Sequence, residues 1–346
     1  MPVSLADLGE VGVIRRAVRF CPSVSPLLVR GVGDDAAIIR PSGQRHLLLT
    51  TDLLVEHIDF NLNGWTLDRV GEKALAVNVS DVAAMGGRPT LFTVGLAIPA
   101  RARPAQVDAL YRGLGRAARR YGVALAGGDL SASPSGWSIE ITLLGEVKPG
   151  QALTRSGAEV GDRLCVTGTL GDSGAGLDLL RANTSRRTGL GAATRSLPSR
   201  AARFLVERHQ VPTPRVAQGR ALASRGLATA AIDLSDGLAS DLRRLCEASG
   251  VGAEVDLRAL PFSSELLTYA RAVKRDPATY ALTSGEDFEL LVTVAPANLA
   301  RARSLNVDGV PLTDIGSILP RRAGLRIIDR RGRRSRLTAS GFEHFR

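Results

Sequence analysis

The stretch Thr66 to Gly87, TLDRVGEKALAVNVSDVAAMGG, decides how the first half of this chain folds. Leu67, Val70, Ala74 and Val77 recur at helical spacing, and Gly86-Gly87 with Pro89 behind them close the helix near Ala84. Asp81 falls on the same face as Ala74 and Val77, the one that turns toward a core. A carboxylate there is costly unless it is paired or bound to a cation. Capping of the turn Met85-Gly86-Gly87 is the ordinary alternative.

Apolar runs at 36–40 and 46–51 precede this helix and are split by Pro41-Ser42-Gly43-Gln44, a hairpin-like signal. A strand over Leu91 to Ile98 follows, then a helix over Pro104 to Tyr121 with Val107, Leu110 and Leu114 on one stripe and Gly122 at its end. Val123 to Ala126 and Ile139 to Val147 complete the set. The expected order is strand, helix, strand, strand, helix, strand, that of a ferredoxin-like or related α+β unit.

At 346 residues the chain is long for one core, so two domains of roughly 150 to 200 residues are expected. Lys148-Pro149-Gly150 marks the boundary, giving domains 1–148 and 149–346. In the second half Arg163 to Thr167 reads as a strand and Val216 to Leu222 as a helix. Ala228 to Leu234 reads as a strand running into Ser235-Asp236-Gly237 and a helix carrying Leu238, Leu242, Leu245 and Cys246. Tyr280 to Thr283 and Phe288 to Val294 read as strands flanking Gly285-Glu286-Asp287, and Leu325 to Asp329 as a last short strand. The alternation argues an α/β layer. Residues 185–199, rich in Arg, Ser, Thr and Gly, read as an exposed, mobile loop.

Composition narrows the class. With 44% hydrophobic residues and no apolar run of about 18 residues, the chain is expected to be soluble, with no membrane partner. The first twenty residues carry Asp7, Glu10, Arg15 and Arg16 and no secretory h-region. Cys21, Cys165 and Cys246 are odd in number and unpaired in spacing, as expected of reduced thiols in the cytoplasm. The net charge of +11 would ordinarily suggest nucleic acid, but it is almost all arginine and aromatic content is only 4%. Stacking platforms are therefore scarce, so a solvated arginine-rich surface is expected, with no nucleic-acid partner.

Six short acidic segments carry the chemistry: Gly33-Asp34-Asp35, Thr50-Thr51-Asp52, Asn78-Val79-Ser80-Asp81, Gly127-Gly128-Asp129, Asp233-Leu234-Ser235-Asp236-Gly237 and Gly285-Glu286-Asp287. Several of these carboxylates fall on what reads as tight turns, each beside a hydroxyl or bare backbone. Hard cations take such oxygen ligands, and magnesium is usually held by one or two carboxylates plus phosphate and water. Gly127-Gly128 would let backbone amides meet phosphate, and Ser235-Asp236-Gly237 places amides at a helix N-terminus. Ordinary turns and N-caps explain any one segment alone. Their joint occurrence points to a nucleotide-phosphate enzyme. A Gly-Lys-Ser/Thr loop, the protein-kinase motifs and zinc-type histidine spacing are all missing. Phosphoryl transfer here must rely on metals and positioning. A non-catalytic nucleotide sensor, or a basic nucleic-acid module, is the rival from another class, and in it this carboxylate set would be superfluous.

The chain resembles the thiamine-monophosphate kinases, a family of the aminoimidazole-ribonucleotide-synthetase-like superfamily. The matching segments are GVGDDAA (31–37), TTDLLV (50–55), KALAVNVSDVAAMG (73–86), GGD (127–129), LTRSGA (153–158), DLSDGL (233–238), GEDFEL (285–290) and GFEHF (341–345). They span nearly the whole chain in the family's order. The resemblance implies an N-terminal α+β domain that dimerises, a C-terminal α/β domain and ATP bound between them. It implies ATP-dependent phosphorylation of thiamine monophosphate to thiamine diphosphate, with several magnesium ions. By the same resemblance the magnesium ligands fall on Asp35, Thr50, Thr51, Asp52, Asp81, Asp129, Asp233 and Asp236. ATP contacts fall on Gly128, Asp129, Arg155 and Ser235, and thiamine phosphate contacts on Asp59, Glu286 and Phe342. Two positions depart from the pattern: Asp59 stands where the family often has histidine, and Phe342 where it often has tryptophan or tyrosine. The acceptor phosphate oxygen is already anionic at neutral pH, so no residue is assigned as a catalytic acid or base.

Overall fold

Leu67–Ala84 forms the expected helix, α1, but it is not amphipathic in its setting. Val70, Leu75, Val79 and Val82 are buried, and so are Lys73, Asn78 and Ser80 on other faces. The cause is a close neighbour, α2 (Pro104–Tyr121). A Cβ on Gly71 would stand 2.2 Å from the Leu110 carbonyl oxygen, and one on Gly113 would stand 1.9 Å from that of Asp68. The two helices therefore touch backbone to backbone, which only glycine permits. α2 begins with Pro104 and ends at Gly122, left-handed at φ 67°.

The computed structural model describes residues 16, 19–21, 24–30, 38–39, 43–184, 197–305 and 307–342. It divides into two units, Met1–Val82 with Gly87–Pro149, and Ala83–Gly86 with Gly150–Arg346. In the first, β3 (His46–Val55), β4 (Arg88–Pro99), β5 (Ala124–Ser133) and β6 (Ser138–Val147) form one sheet in the order β3-β6-β4-β5. β6 runs antiparallel to both neighbours, while β4 and β5 are parallel. The elements run β3, α1, β4, α2, β5, β6, the order in which they were expected one by one; the ferredoxin-like order named for them, with two strands between the helices, does not hold. β1 (Leu28–Arg30) pairs with β2 (Ile38–Ile39) in a separate small sheet, and among the described residues the expected hairpin does not join β2 to β3. The Pro41 turn lies outside the described residues except for its last two positions.

The seven-stranded sheet of the second unit has the order β13-β12-β9-β11-β7-β10-β8. Its strands are β7 (Arg163–Thr167), β8 (Ala230–Asp233), β9 (Val251–Asp256), β10 (Leu290–Val294), β11 (Leu312–Pro320), β12 (Leu325–Ile328) and β13 (Arg334–Arg336). Only β9 and β12 pair in parallel; the sheet is mixed and mainly antiparallel. The helices are α3 (Asp172–Thr184), α4 (Ser199–Gln210), α5 (Val216–Ser224), α6 (Leu238–Ser249), α7 (Ser264–Val273), α8 (Pro277–Thr283) and α9 (Leu299–Arg303). Leu238, Leu242, Leu245 and Cys246 pack from α6 onto Leu164, Ile232 and Val255 of the sheet. Tyr280 to Thr283, expected as a strand, belongs to α8. Asp276 accepts the Ala278 amide and Pro277 opens the first turn, a helix start that outweighs the apolar run behind it. Of the loop expected over 185–199, residues 185–196 lie outside the described residues, Leu197 is buried and Ser199 opens α4. Cys21, Cys165 and Cys246 are buried free thiols, and burial pushes each up to about 12.

Candidate active site

In the first unit the alternation of β3 sorts the Thr50-Thr51-Asp52 triplet. Thr50 and Asp52 are half-buried, whereas Thr51 stands on the exposed face. Thr51 Oγ1 donates to Glu140 Oε1 at 3.3 Å and lies 3.4 Å from Thr142 Oγ1. The three side chains therefore do not converge. Thr50 Oγ1 instead donates to Asp81 Oδ2 at 2.5 Å. The turn after Asp81 is closed by backbone bonds, Gly86 N to Ala83 O and Gly87 N to Val82 O, both 2.9 Å. Asp81 is thus tied to β3.

Asp52 shares this electrostatic setting. Its carboxyl is pushed up to about 7, by burial first and then by the charges of Asp81 and Asp59. Asp59 accepts the Val55 amide at 2.8 Å, and its own amide donates to the Val55 carbonyl at 2.9 Å. The loop after β3 is folded back on itself by those two bonds. His57 beside it is exposed and left-handed at φ 75°.

Gly127-Gly128-Asp129, expected as a turn, lies inside β5, where Gly128 pairs with Val94 and Asp129 with Gly95. A Cβ on Gly128 would stand 2.3 Å from the Val94 carbonyl oxygen, so close strand packing already demands glycine there. A register shift between Phe92 and Thr93 of β4 leaves Ala126 as the extra residue of a bulge. β5 is an edge strand, so backbone groups of the Gly128-Asp129 segment are open on one side, and both residues are exposed. Asp35 lies outside the described residues.

The second unit gathers its expected residues around the end of β8. Asp233 ends the strand and is buried; Ser235 and Asp236 follow, half-buried. Gly237 at φ 103° is the N-cap of α6, with no side-chain capping bond, so Ser235 does not cap that helix. The Ser235 carbonyl accepts the Glu286 amide at 2.7 Å and the Leu234 carbonyl accepts the Phe288 amide at 3.0 Å. The Asp236 carbonyl accepts the Phe342 amide at 3.0 Å, while Gly341 N donates to Ser240 Oγ at 2.8 Å. Ser235, Asp236, Glu286 and Phe342 are therefore neighbours, though the sequence separates them by up to 107 positions. Arg155 is exposed, and its carbonyl accepts from Ser249 Oγ at 2.9 Å.

Two groups hold this cluster: the Arg244–Asp241 pair, which sequence reasoning passed over, and Asp287, which it named within an acidic segment but gave no role. Arg244 of α6 makes close ion pairs with Asp236 and with Asp241, one helical turn before it. Asp241 accepts the Asp236 amide at 3.0 Å, and burial pushes its carboxyl up to about 7. The Asp241–Arg244 spacing on a helix face was visible beforehand. Asp287 is buried and accepts the amides of Gly171 at 2.6 Å and Ser173 at 3.2 Å, closing the start of α3.

Hydroxyl and carboxylate oxygens are the donors a hard cation takes. Among the described residues no three Asp, Glu, His or Cys side chains form a ready-made metal cage. The donor set nonetheless fits magnesium, which keeps its waters and binds few protein carboxylates when phosphate supplies the rest. The mutual repulsion that raises Asp52 is what a cation would relieve.

Residues 33–147 match the family model of the AIR synthase related protein N-terminal domain, and residues 159–328 that of its C-terminal domain. The chain is 40% identical over 339 residues to the thiamine-monophosphate kinase of Escherichia coli strain K12, covering 97% of this chain and 98% of that one. It is similar to the crystal structure of thiamine-monophosphate kinase from Stenotrophomonas maltophilia K279a, with a TM-score of 0.77 and 34% identity, over 91% of this chain and 94% of that one. It is also similar to AaThiL complexed with AMPPCP and TMP, with a TM-score of 0.74 and 32% identity, over 99% and 98% of the two chains.

Proposed function

Because the chain belongs to the thiamine-monophosphate kinase family of AIR synthase related proteins, we propose that its two units serve one reaction, transfer of the γ-phosphoryl group of ATP to thiamine monophosphate. The protein is an ATP-dependent kinase that makes thiamine diphosphate. The carrying observation is the end-to-end likeness to AaThiL complexed with AMPPCP and TMP, an ATP analogue and the acceptor together. The acceptor's phosphate oxygen attacks the γ-phosphorus, the bond to the β-phosphate bridging oxygen breaks, and ADP leaves. That oxygen is already anionic, so no side chain has to remove a proton, and catalysis is positioning and charge neutralisation.

Magnesium ions would neutralise the triphosphate. Thr50, Asp52, Asp81 and Asp129 of the first unit, with Asp35, would hold them, as would Asp233 and Asp236 of the second. Thr51 would contribute through its backbone, since its side chain stands on the other face of β3. Gly128, Asp129, Arg155 and Ser235 would contact ATP. Glu286 would face the cationic ring of the acceptor, Phe342 would offer its ring for stacking, and Asp59 would lie toward the ring end. Arg244 pairs with Asp236, so it would have to yield part of that contact to an incoming cation.

β3 supports a homodimer. Leu47, Leu49 and Leu53 are exposed on the same face as Thr51, an apolar row that a second copy would cover. Among the described residues no helix is long and apolar enough to cross a membrane, and cytoplasmic location is part of the same proposal.

The test is ADP release from purified protein with ATP, magnesium and a panel of acceptors. Thiamine monophosphate is expected to be turned over and free thiamine to be a poor acceptor. Release driven by an aminoimidazole precursor or selenide, and not by thiamine monophosphate, would move the assignment to a sister family.

A further inference from the structure

His209 lies in the last turn of α4, far in sequence from every acidic segment. Its side chain is 2% exposed, and its Nδ1 stands 3.2 Å from Glu286 Oε2 and 3.0 Å from Ser173 Oγ. Glu286 is 30% exposed, so its carboxylate meets His209 inside the unit while staying reachable from solvent. An ionised carboxylate only accepts hydrogen bonds, so its partner Nδ1 must carry a proton. Ser173 Oγ then receives a share of the same N–H or turns its lone pair toward it. This arrangement fixes the ring's tautomer from two sides.

The backbone of the same loop takes an uncommon conformation. Gly285, Glu286 and Phe288 all have positive φ, 67°, 58° and 50°. Non-glycine residues hold that conformation only where surrounding bonds over-determine it. Here Glu286 N is bound to Ser235 O, Phe288 N to Leu234 O, and the Asp287 carboxylate to the amides of Gly171 and Ser173. Ser173 thus binds the loop through its amide and, through its hydroxyl, the imidazole that touches the next carboxylate. These anchors hold the backbone of the loop, and His209 is a buried group that meets the Glu286 carboxylate itself.

We infer that His209 is a positioning residue for Glu286, orienting its carboxylate through an Nδ1–H bond and so setting affinity for the cationic acceptor. The inference rests on the reading of Glu286 as an acceptor contact. A charge-assisted hydrogen bond held by a buried group is lost when His209 becomes leucine, and the KM for thiamine monophosphate is expected to rise about tenfold with the KM for ATP unchanged.

Asparagine places an amide near the Nδ1 position and glutamine places one near Nε2. His209→Asn is therefore expected to keep the KM for thiamine monophosphate near that of the parent, and His209→Gln to raise it like His209→Leu. Glu286→Ala should raise that KM by itself, and adding His209→Leu to it should change nothing further. If Glu286→Ala leaves the KM for thiamine monophosphate unchanged, the reading of Glu286 fails and the inference with it. If Glu286→Ala acts as expected, but His209→Leu raises both KM values alike or adds its full effect to Glu286→Ala, the inference alone is overturned. Should His209→Leu fail to melt as a folded protein, the Asn and Gln variants decide: equal KM values overturn the inference.

Discussion

Thr50 Oγ1 donates to Asp81 Oδ2 at 2.5 Å, joining β3 to α1. The bond puts a hydroxyl and a carboxylate from two elements at one point, within electrostatic range of Asp52. It also separates Thr50 from Thr51, whose hydroxyl stands with Glu140 on the opposite face of the sheet.

Asp81→Asn is expected to lower kcat by orders of magnitude while the thermal midpoint moves by only a few degrees. The amide keeps the shape and an acceptor for Thr50 but removes the charge a magnesium–triphosphate complex needs. Thr50→Val should weaken ATP turnover clearly more than Thr51→Val. Steady-state kinetics at varied magnesium check this, and a folded Asp81→Asn enzyme with near-normal rate would return Asp81 to a purely structural role.

Asp59 accepts the Val55 amide and adds to the negative field at Asp52. Near the acceptor phosphate it would cost roughly 1 kcal/mol at 4 Å in water-like surroundings, so it suits the cationic ring end. Asp59→Asn should raise the KM for thiamine monophosphate more than that for ATP. Equal effects on the two, together with loss of thiamine monophosphate affinity in His57→Ala, would transfer the contact to the exposed His57.

Asp287 is buried, and its carboxyl is pushed up to about 7 by burial first and by Asp172 next. The folded state therefore holds a proton that the unfolded chain releases in the ordinary carboxylate range near 3.8. The stability this contributes is full below that range and is lost as pH rises to about 7. Asp287→Asn removes the titrating group. The stability difference between wild type and variant, measured by urea unfolding, should shift against the wild type from pH 4.5 to 7.5; a pH-independent difference would contradict the raised value.

Leu47, Leu49 and Leu53 line the exposed face of β3. Leu49→Glu, the substitution at the most exposed of the three, should shift sedimentation from dimer to monomer, because a charge would have to be buried in the interface. A wild-type chain that sediments as a monomer at micromolar concentration would remove the dimer from the proposal.

Helical periodicity carried α1, α2 and α6, while β7 and β8 were legible as short apolar runs bounded by turn residues. The Gly127-Gly128-Asp129 segment was misread as a turn because glycine signals both a bend and a close backbone approach. Only the Val94 carbonyl beside Gly128 tells them apart. Tyr280 to Thr283 was misread as a strand because four apolar-leaning residues carry no period, and the cap at Asp276 lay just outside them.

Residue types and spacing alone determined that this chain carries hard-oxygen donors in six places and lacks a lysine phosphate loop; its segments, by resemblance, pointed to one family. They could not determine which donors meet. Thr50 and Thr51 are adjacent in sequence yet face opposite ways, because strand side chains alternate. Ser235, Glu286 and Phe342 are far apart in sequence yet joined by backbone bonds to two neighbouring carbonyls, those of Ser235 and Asp236. His209 had no motif at all. Its place beside Glu286 comes from how α4 packs with α3 and α7, through Ala201 and Leu205 against Ala175, Leu179 and Leu266. Such nonlocal packing is set by the whole apolar core, and no local window of the sequence contains it.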